Sequence, residues 1–195
     1  MEIIPLGSTC SIAYQLRYHG LREKAYPFDW VRINNLATVT DLIKNNFNSF
    51  LDKNKFKFKS VSNIFEVDGE MLSYVYDNSY CKFYHEFNQY INDDNFKLFS
   101  EKYQRRIDRL IQKIKNSKKI LFIREEIGNL SQNKIKEFSD MIHVMNPKLD
   151  WKMKIIVRNN KYVQFKSENI DIIFSDLKVS NWRRMELDWK SIFIY

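Results

Sequence analysis

The sequence predicts an α/β fold in three layers: a largely parallel sheet with helices on both faces and an added antiparallel hairpin. Three observations predict it. Short, nearly continuous apolar runs, Ile120-Leu121-Phe122-Ile123 and Ile155-Ile156-Val157, suit strands buried on both faces. These runs alternate with segments whose apolar residues recur at helical spacing, the order that builds parallel strands joined by helices. Asp68-Gly69 stands between two alternating stretches, 61–67 and 70–76, and is a favoured type I′ hairpin turn. At 195 residues, 44% of them hydrophobic, the chain is long enough for one well-buried core. Its 4 Gly and 3 Pro leave little material for linkers, so a single domain over 1–195 is expected.

Residues 2–6 read as a short buried strand that stops at Gly7. Ser8 or Thr9 is placed to cap the helix that follows by accepting from first-turn N–H groups. Ile12, Ala13 and Leu16 give that helix its apolar face. Gly20 fits the left-handed residue of a Schellman stop, with Leu21 folding back on Leu16. A second helix begins near Asn35 and carries Leu36, Val39, Ile43, Phe47 and Phe50 at helical spacing. After the hairpin, 80–84 forms a further strand. The longest helix spans 94–116, with Phe96, Phe99, Tyr103, Ile107, Leu110 and Ile114 as its buried stripe and Lys102, Arg105, Arg106, Arg109 and Lys113 on its wetter sides. The rest alternates: a strand over 119–124, a helix over 132–145, and strands over 152–158, 170–174 and 191–194.

Composition narrows the function classes. No stretch approaches the ~20 apolar residues of a membrane span, so no membrane role is expected. The N-terminus has no basic region followed by an apolar run, and the 2 cysteines are therefore expected as free thiols in a reducing, cytoplasmic compartment. The net charge of +8 suits an acidic partner, nucleic acid or a phosphorylated glycan, engaged through Arg105, Arg106, Arg109 and Lys113. Much of that charge is lysine dispersed among asparagines, however, and reads more simply as a solvated face. Gly7 is isolated, so there is no glycine-rich phosphate loop of Walker or dinucleotide type. Cys10 and Cys81 are too few and too separate for a zinc framework, and no cofactor or metal is expected.

Chemistry concentrates at Cys10. In open α/β sheets ligands gather at the carboxyl ends of strands, and Cys10 lies just past the first strand, in the first turn of a helix. Unsatisfied N–H groups and the helix dipole favour a thiolate there, which is the nucleophilic form. Gly7, Ser8, Thr9 and Ser11 leave room for a substrate carbonyl. The competing reading is a thiol that packs as a small hydrophobe. A nucleophilic thiol needs a base, and the chain has 3 histidines. His19 follows Cys10 by nine residues on the same helix, about 13 Å away and on the opposite side, and suits the helix C-terminus instead. His143 lies beside Ile142 in an amphipathic helix. His85, in Phe83-Tyr84-His85-Glu86-Phe87, remains as the candidate base, against the alternative of a half-exposed histidine ending a strand. Glu86 follows it directly and on a strand would point away. Asp29, between Phe28 and Trp30, is the candidate orienting carboxylate, or else it holds its own turn through an Asx-type bond.

Several segments together resemble the opening of the papain-like cysteine peptidase family of bacteria and large DNA viruses, long known only as a domain of unknown function. They are Ile4-Pro5-Leu6-Gly7-Ser8-Thr9-Cys10, Ala13-Tyr14-Gln15-Leu16-Arg17, Gly20-Leu21-Arg22 and Ala25-Tyr26-Pro27-Phe28-Asp29-Trp30. The later Phe-x-His-acidic-Phe segment (83–87), the Lys-Tyr-x-Arg-Arg-Ile helix (102–107) and the Leu-Phe-Ile-Arg strand (121–124) are similar too. The resemblance implies Cys10 as nucleophile and His85 as base of a hydrolase acting on a peptide or acyl substrate through a thioester; the third member, Asp29, is not fixed by the motif. It also implies an α+β papain-like fold as the alternative architecture. One departure stands out: a papain-like fold starts the cysteine helix with no buried strand before it, whereas 3–6 predicts one. A hydrolase-like layer arrangement, and a thiol acyl transferase or esterase, use the same constellation.

Overall fold

The computed structural model describes residues 1–66, 69–158, 167–176 and 181–195. Among these, a parallel sheet has the order β1-β6-β7-β8, from β1 (Glu2–Pro5), β6 (Lys119–Glu126), β7 (Asp150–Val157) and β8 (Ile170–Phe174). Its register sets Pro5 beside Ile123, Glu126 beside Val157, and Val157 beside Phe174, so the carboxyl ends finish at one edge.

The two-residue period of β6 divides the interior. Ile120 and Phe122 face one core with Phe138, Met141 and Ile142 of α4 (Gln132–Met145) and the buried stripe of α3 (Asp93–Asn116). Leu121 and Ile123 face a second core with Ile12 and Leu16 of α1 (Ser11–Tyr18) and Trp189 and Ile192 of α5 (Trp189–Ile192). Helices thus cover both faces, the predicted three-layer arrangement. The buried strand before the cysteine helix is present: Ile4 and Leu6 are fully buried, and Leu6 N–H donates to Ile123 O at 2.8 Å.

Between α1 and α3 the chain builds a second, antiparallel sheet of order β2-β5-β4-β3, from β2 (Val31–Arg32), β3 (Lys57–Glu66), β4 (Gly69–Asp77) and β5 (Lys82–Phe83). The predicted hairpin is its long limb. Glu66 pairs with Gly69, and Asp68 of the predicted turn lies outside the described residues. Two short strands extend this limb into a sheet, and β2 went unread because two residues carry no period. Phe56, Phe83, Phe87, Phe96, Phe99 and Tyr103 interleave where this sheet meets α3, ring centroids 4.5–6.4 Å apart.

Three local expectations are corrected. The second helix, α2 (Leu36–Lys44), ends well before Phe50. Asn46 takes the left-handed conformation at φ +49°, Asn46 N–H donates to Ile43 O and Phe47 N–H to Leu42 O at 2.7 Å, which is a Schellman stop with Asn in the glycine place. Phe47 and Phe50 are still buried, carried there by turns. Residues 191–194 are not a strand: Asp188 caps the short α5 by accepting from Ser191 N–H at 3.2 Å. Neither Ser8 nor Thr9 caps α1; Cys10 occupies the cap position with no side-chain cap bond. The end of α1 follows expectation, with Gly20 at φ +67°, Gly20 N–H on Arg17 O at 3.1 Å and Leu21 N–H on Leu16 O at 2.8 Å. Among the described residues no helix is long and apolar enough to cross a membrane.

Candidate active site

The carboxyl edge of the parallel sheet opens into a cavity of about 550 Å³, and both Cys10 and His85 line it. Cys10 arrives there because β1 ends at Pro5 and the chain turns through Gly7 (φ +72°) into the first turn of α1. It is partly exposed. Tyr14 N–H is the first to bond back, to Cys10 O at 3.0 Å. The N–H groups ahead of it have no acceptor within the helix.

His85 arrives from the opposite side, on the bend that follows β5. That bend is tied to β4 twice, by Ser73 Oγ donating to Tyr84 O and by Tyr74 N–H donating to Phe87 O at 2.8 Å. Residues 84–86 form a bend rather than a strand, and the Glu86 side chain is buried against α3. It accepts from Lys102, from the Tyr103 hydroxyl at 2.9 Å and from Arg106 at 3.5 Å, so it anchors the bend to α3. The His85 ring packs against Trp30, with centroids 5.1 Å apart, and Trp30 packs in turn near Trp182 at 6.4 Å.

Asp29 stands one residue from that ring and is 1% exposed. Its Oδ2 accepts from Arg22 Nη2 at 2.7 Å, from Arg22 Nε at 3.1 Å and from Tyr26 N–H at 3.2 Å; its Oδ1 has no hydrogen-bond partner among the described residues. Asp29 does hold its own turn, but through a bond that reaches back three residues to Tyr26 rather than the forward bond of an Asx turn. Burial pushes the carboxyl above the usual carboxylate range, and Arg22 counteracts that shift. Arg22 also lies over the Trp30 ring at 5.7 Å. Trp30 holds φ +59°, a conformation that a bulky residue adopts only where its surroundings enforce it. Asp29, Arg22 and Trp30 thus form a continuous chain of contacts that ends on the histidine ring.

The cavity also holds residues that sequence reasoning missed. The predicted strand 119–124 runs two residues further, and the period of β6 sends Arg124 and Glu126 to one face and Glu125 to the other. Arg124 Nε donates to Glu126 Oε2 at 2.9 Å and its other nitrogens donate to Leu6 O and Ile33 O, all fully buried. This clip fixes the start of the cysteine loop to the strand beside it. Glu125 is 1% exposed and accepts from Thr9 at 2.9 Å, Ser11 at 3.1 Å, Arg158 at 2.9 Å and Arg184. It takes the two hydroxyls flanking Cys10, those of Thr9 and Ser11, which is why Thr9 does not cap the helix. A signal existed in the run Arg124-Glu125-Glu126, charges at the carboxyl end of an apolar strand.

The remaining candidates lie elsewhere. Cys81 is buried, its Sγ 3.8 Å from Asn78 Oδ1, and burial pushes its thiol well above the usual range. His19 ends α1 as expected and packs against Phe193, while His143 is exposed. Among the basic residues of α3, Arg106 and Lys102 hold Glu86, Arg109 holds Ala25 O and Lys113 holds Glu2. Among the described residues no cluster of three or more His, Cys, Asp or Glu side chains is placed to hold a metal ion.

Residues 1–161 match the family described as "Putative papain-like cysteine peptidase (DUF1796)", and the chain belongs to that family. It is also similar to uncharacterized protein R408 of Acanthamoeba polyphaga mimivirus, at 32% identity over 214 residues that cover 98% of this chain and 96% of the viral one. No solved structure matches.

Proposed function

We propose that the protein is a cysteine hydrolase that cleaves an amide or ester through a thioester on Cys10, with His85 as general base. The observation that carries this reading is the meeting of Cys10 and His85, 75 residues apart in the chain, on one cavity at the carboxyl edge of the parallel sheet. Family membership supports it. The Cys10 sulfur attacks the substrate carbonyl carbon and a C–S bond forms. The oxyanion is received by first-turn N–H groups of α1, preorganised donors that cost no rearrangement at the moment of reaction. The C–N or C–O bond then breaks, and His85 returns the thiol proton to the leaving group. Water, deprotonated by His85, next attacks the thioester and releases the acid and the free thiol.

Asp29 serves as a positioning residue. It holds Arg22 and the 26–29 turn, and through Trp30 it fixes the plane of the imidazole. The competing reading, a basic surface for nucleic acid or a phosphorylated glycan, loses support because Arg106, Arg109 and Lys113 are engaged within the protein. A peptide or acyl substrate suits the cavity better.

Iodoacetamide tests the reading. Cys10 is expected to be alkylated at least about tenfold faster than Cys81, since the buried thiol is both shielded and harder to ionise. His85→Ala is expected to slow Cys10 alone. Slow, equal labelling of both thiols contradicts the proposal.

A further inference from the structure

Acyl transfer uses the sulfur, the imidazole and the first-turn N–H groups, and leaves a cluster of charge on the same cavity unused. Arg32, Arg158 and Arg184 line it together with the carboxylate of Glu125. Arg184 is 1% exposed, its Nη1 bonded to Glu125 and its Nε donating to Glu186 at 2.5 Å. Its Nη2 is buried and has no hydrogen-bond partner among the described residues. A guanidinium stays charged at any pH the fold survives, so this N–H group is a donor without an acceptor. The backbone holds it there: Arg184 sits at φ +55°, with its carbonyl accepting from Trp189 Nε1 at 2.7 Å. Arg158 shares Glu125 with it, yet the Arg158 side chain is 50% exposed and free to turn toward a ligand. Among the described residues three guanidiniums stand against two carboxylates, Glu125 and Glu186, and one positive charge is left over.

Building on the hydrolase reading, we infer that this cluster receives a carboxylate of the substrate, with Arg184 and Arg158 as its partners. The substrate class is an acidic peptide carrying an Asp or Glu side chain next to the scissile carbonyl. One residual charge among the described residues matches a monoanion, with Arg158 as the accessible guanidinium for a carboxylate oxygen and Arg184 adding its charge from behind it.

Iodoacetate and iodoacetamide are nearly isosteric and differ by one charge; with either, the Cys10 thiolate displaces iodide, forming C–S and breaking C–I. The ratio of iodoacetate to iodoacetamide rates at Cys10 is expected to fall about threefold to tenfold in Arg158→Gln, whose half-exposed site leaves the buried pair intact, and to fall with added salt. Arg184→Gln is expected to do the same where circular dichroism shows it folded. Glutarate is expected to protect Cys10 from iodoacetamide, and less so in Arg158→Gln. Identical ratios in wild type and Arg158→Gln, at any salt, overturn the anion subsite and leave the hydrolase reading intact. Better protection by inorganic phosphate than by glutarate overturns the carboxylate assignment. Cys10 inert to both reagents, with calorimetric glutarate binding that weakens in Arg158→Gln, supports the subsite and overturns the hydrolase reading.

Discussion

Two thiols of one chain meet opposite surroundings. Cys81 is sealed among aromatic side chains, while Cys10 faces a cavity from the start of a helix. That contrast, rather than cysteine content, separates a packed residue from a candidate nucleophile. Asp29 presents the same question for a carboxylate, because it holds both a turn and, through Arg22, the ring that packs on His85. Asp29→Asn keeps the shape and removes the charge. It is expected to lower stability by about 1–3 kcal/mol, the cost of weakened hydrogen bonds at a buried site, as read by urea denaturation. A positioning role adds a second readout: the pH profile of Cys10 alkylation shifts in Asp29→Asn, whereas a purely structural role leaves it in place. Cys10 and His85 were legible in the sequence because cysteine and histidine are scarce, and Asp29 because it stands between Phe28 and Trp30. Trp182, Arg158 and Arg184 were not, since an exposed-looking arginine and a tryptophan carry no local mark of the cavity they line.

Element ends position the site. The last residues of β6 send a clip to one side, Arg124 with Glu126, and an anchor to the other, Glu125, which holds both hydroxyls beside Cys10. Removing one partner of a buried ion pair strands the other charge. Glu125→Gln is therefore expected to cost about 3–5 kcal/mol in urea unfolding and to free the Thr9–Ser11 segment. A loss below about 1 kcal/mol contradicts the anchoring role. At the far end of α1, Gly20 meets no atom within 4 Å where a Cβ would stand, so only its left-handed φ of +67° matters. Gly20→Ala is expected to cost about 1–2 kcal/mol from backbone strain alone, measured as a fall in Tm. This glycine stop was readable from spacing. The end of α2 was not, because Leu36, Val39, Ile43, Phe47 and Phe50 keep helical spacing while Asn46 turns the chain. Tertiary burial of Phe47 and Phe50 mimics a period that the backbone abandons.

At the scale of the molecule, the parallel sheet was predicted from its apolar strands, whereas the second sheet was predicted as a hairpin and a strand over 80–84, with β2 unread. Strands of two residues leave no pattern, and the pairing of Val31 with Phe83 is a property of the fold. The two sheets together place Cys10 and His85 on one cavity. They are further joined through α3, where Lys113 donates to Glu2 on β1, a carboxylate that also accepts from the Tyr26 hydroxyl. Burial raises the Glu2 carboxyl, but the hydrogen bonds from Lys113 and Tyr26 outweigh it and leave it below its ordinary value of 4.5. The folded state then holds this proton less tightly than the unfolded chain does. The stability it contributes is present above pH 4.5 and is lost as pH falls through the folded value. Because the group is partly solvated, the effect is expected to be no more than about 1 kcal/mol, and Glu2→Gln is expected to flatten the stability difference between pH 6 and pH 3 by that amount.

The central claim is that Cys10 carries an acyl group in turn with a base from the other sheet. Its most direct test is intact-protein mass spectrometry after brief exposure to an activated ester such as p-nitrophenyl acetate. A single acetyl adduct is expected on Cys10, absent in Cys10→Ser, and both formed and discharged more slowly in His85→Ala. Adducts spread over lysines, with Cys10 unmodified and the His85→Ala pattern unchanged, contradict the account.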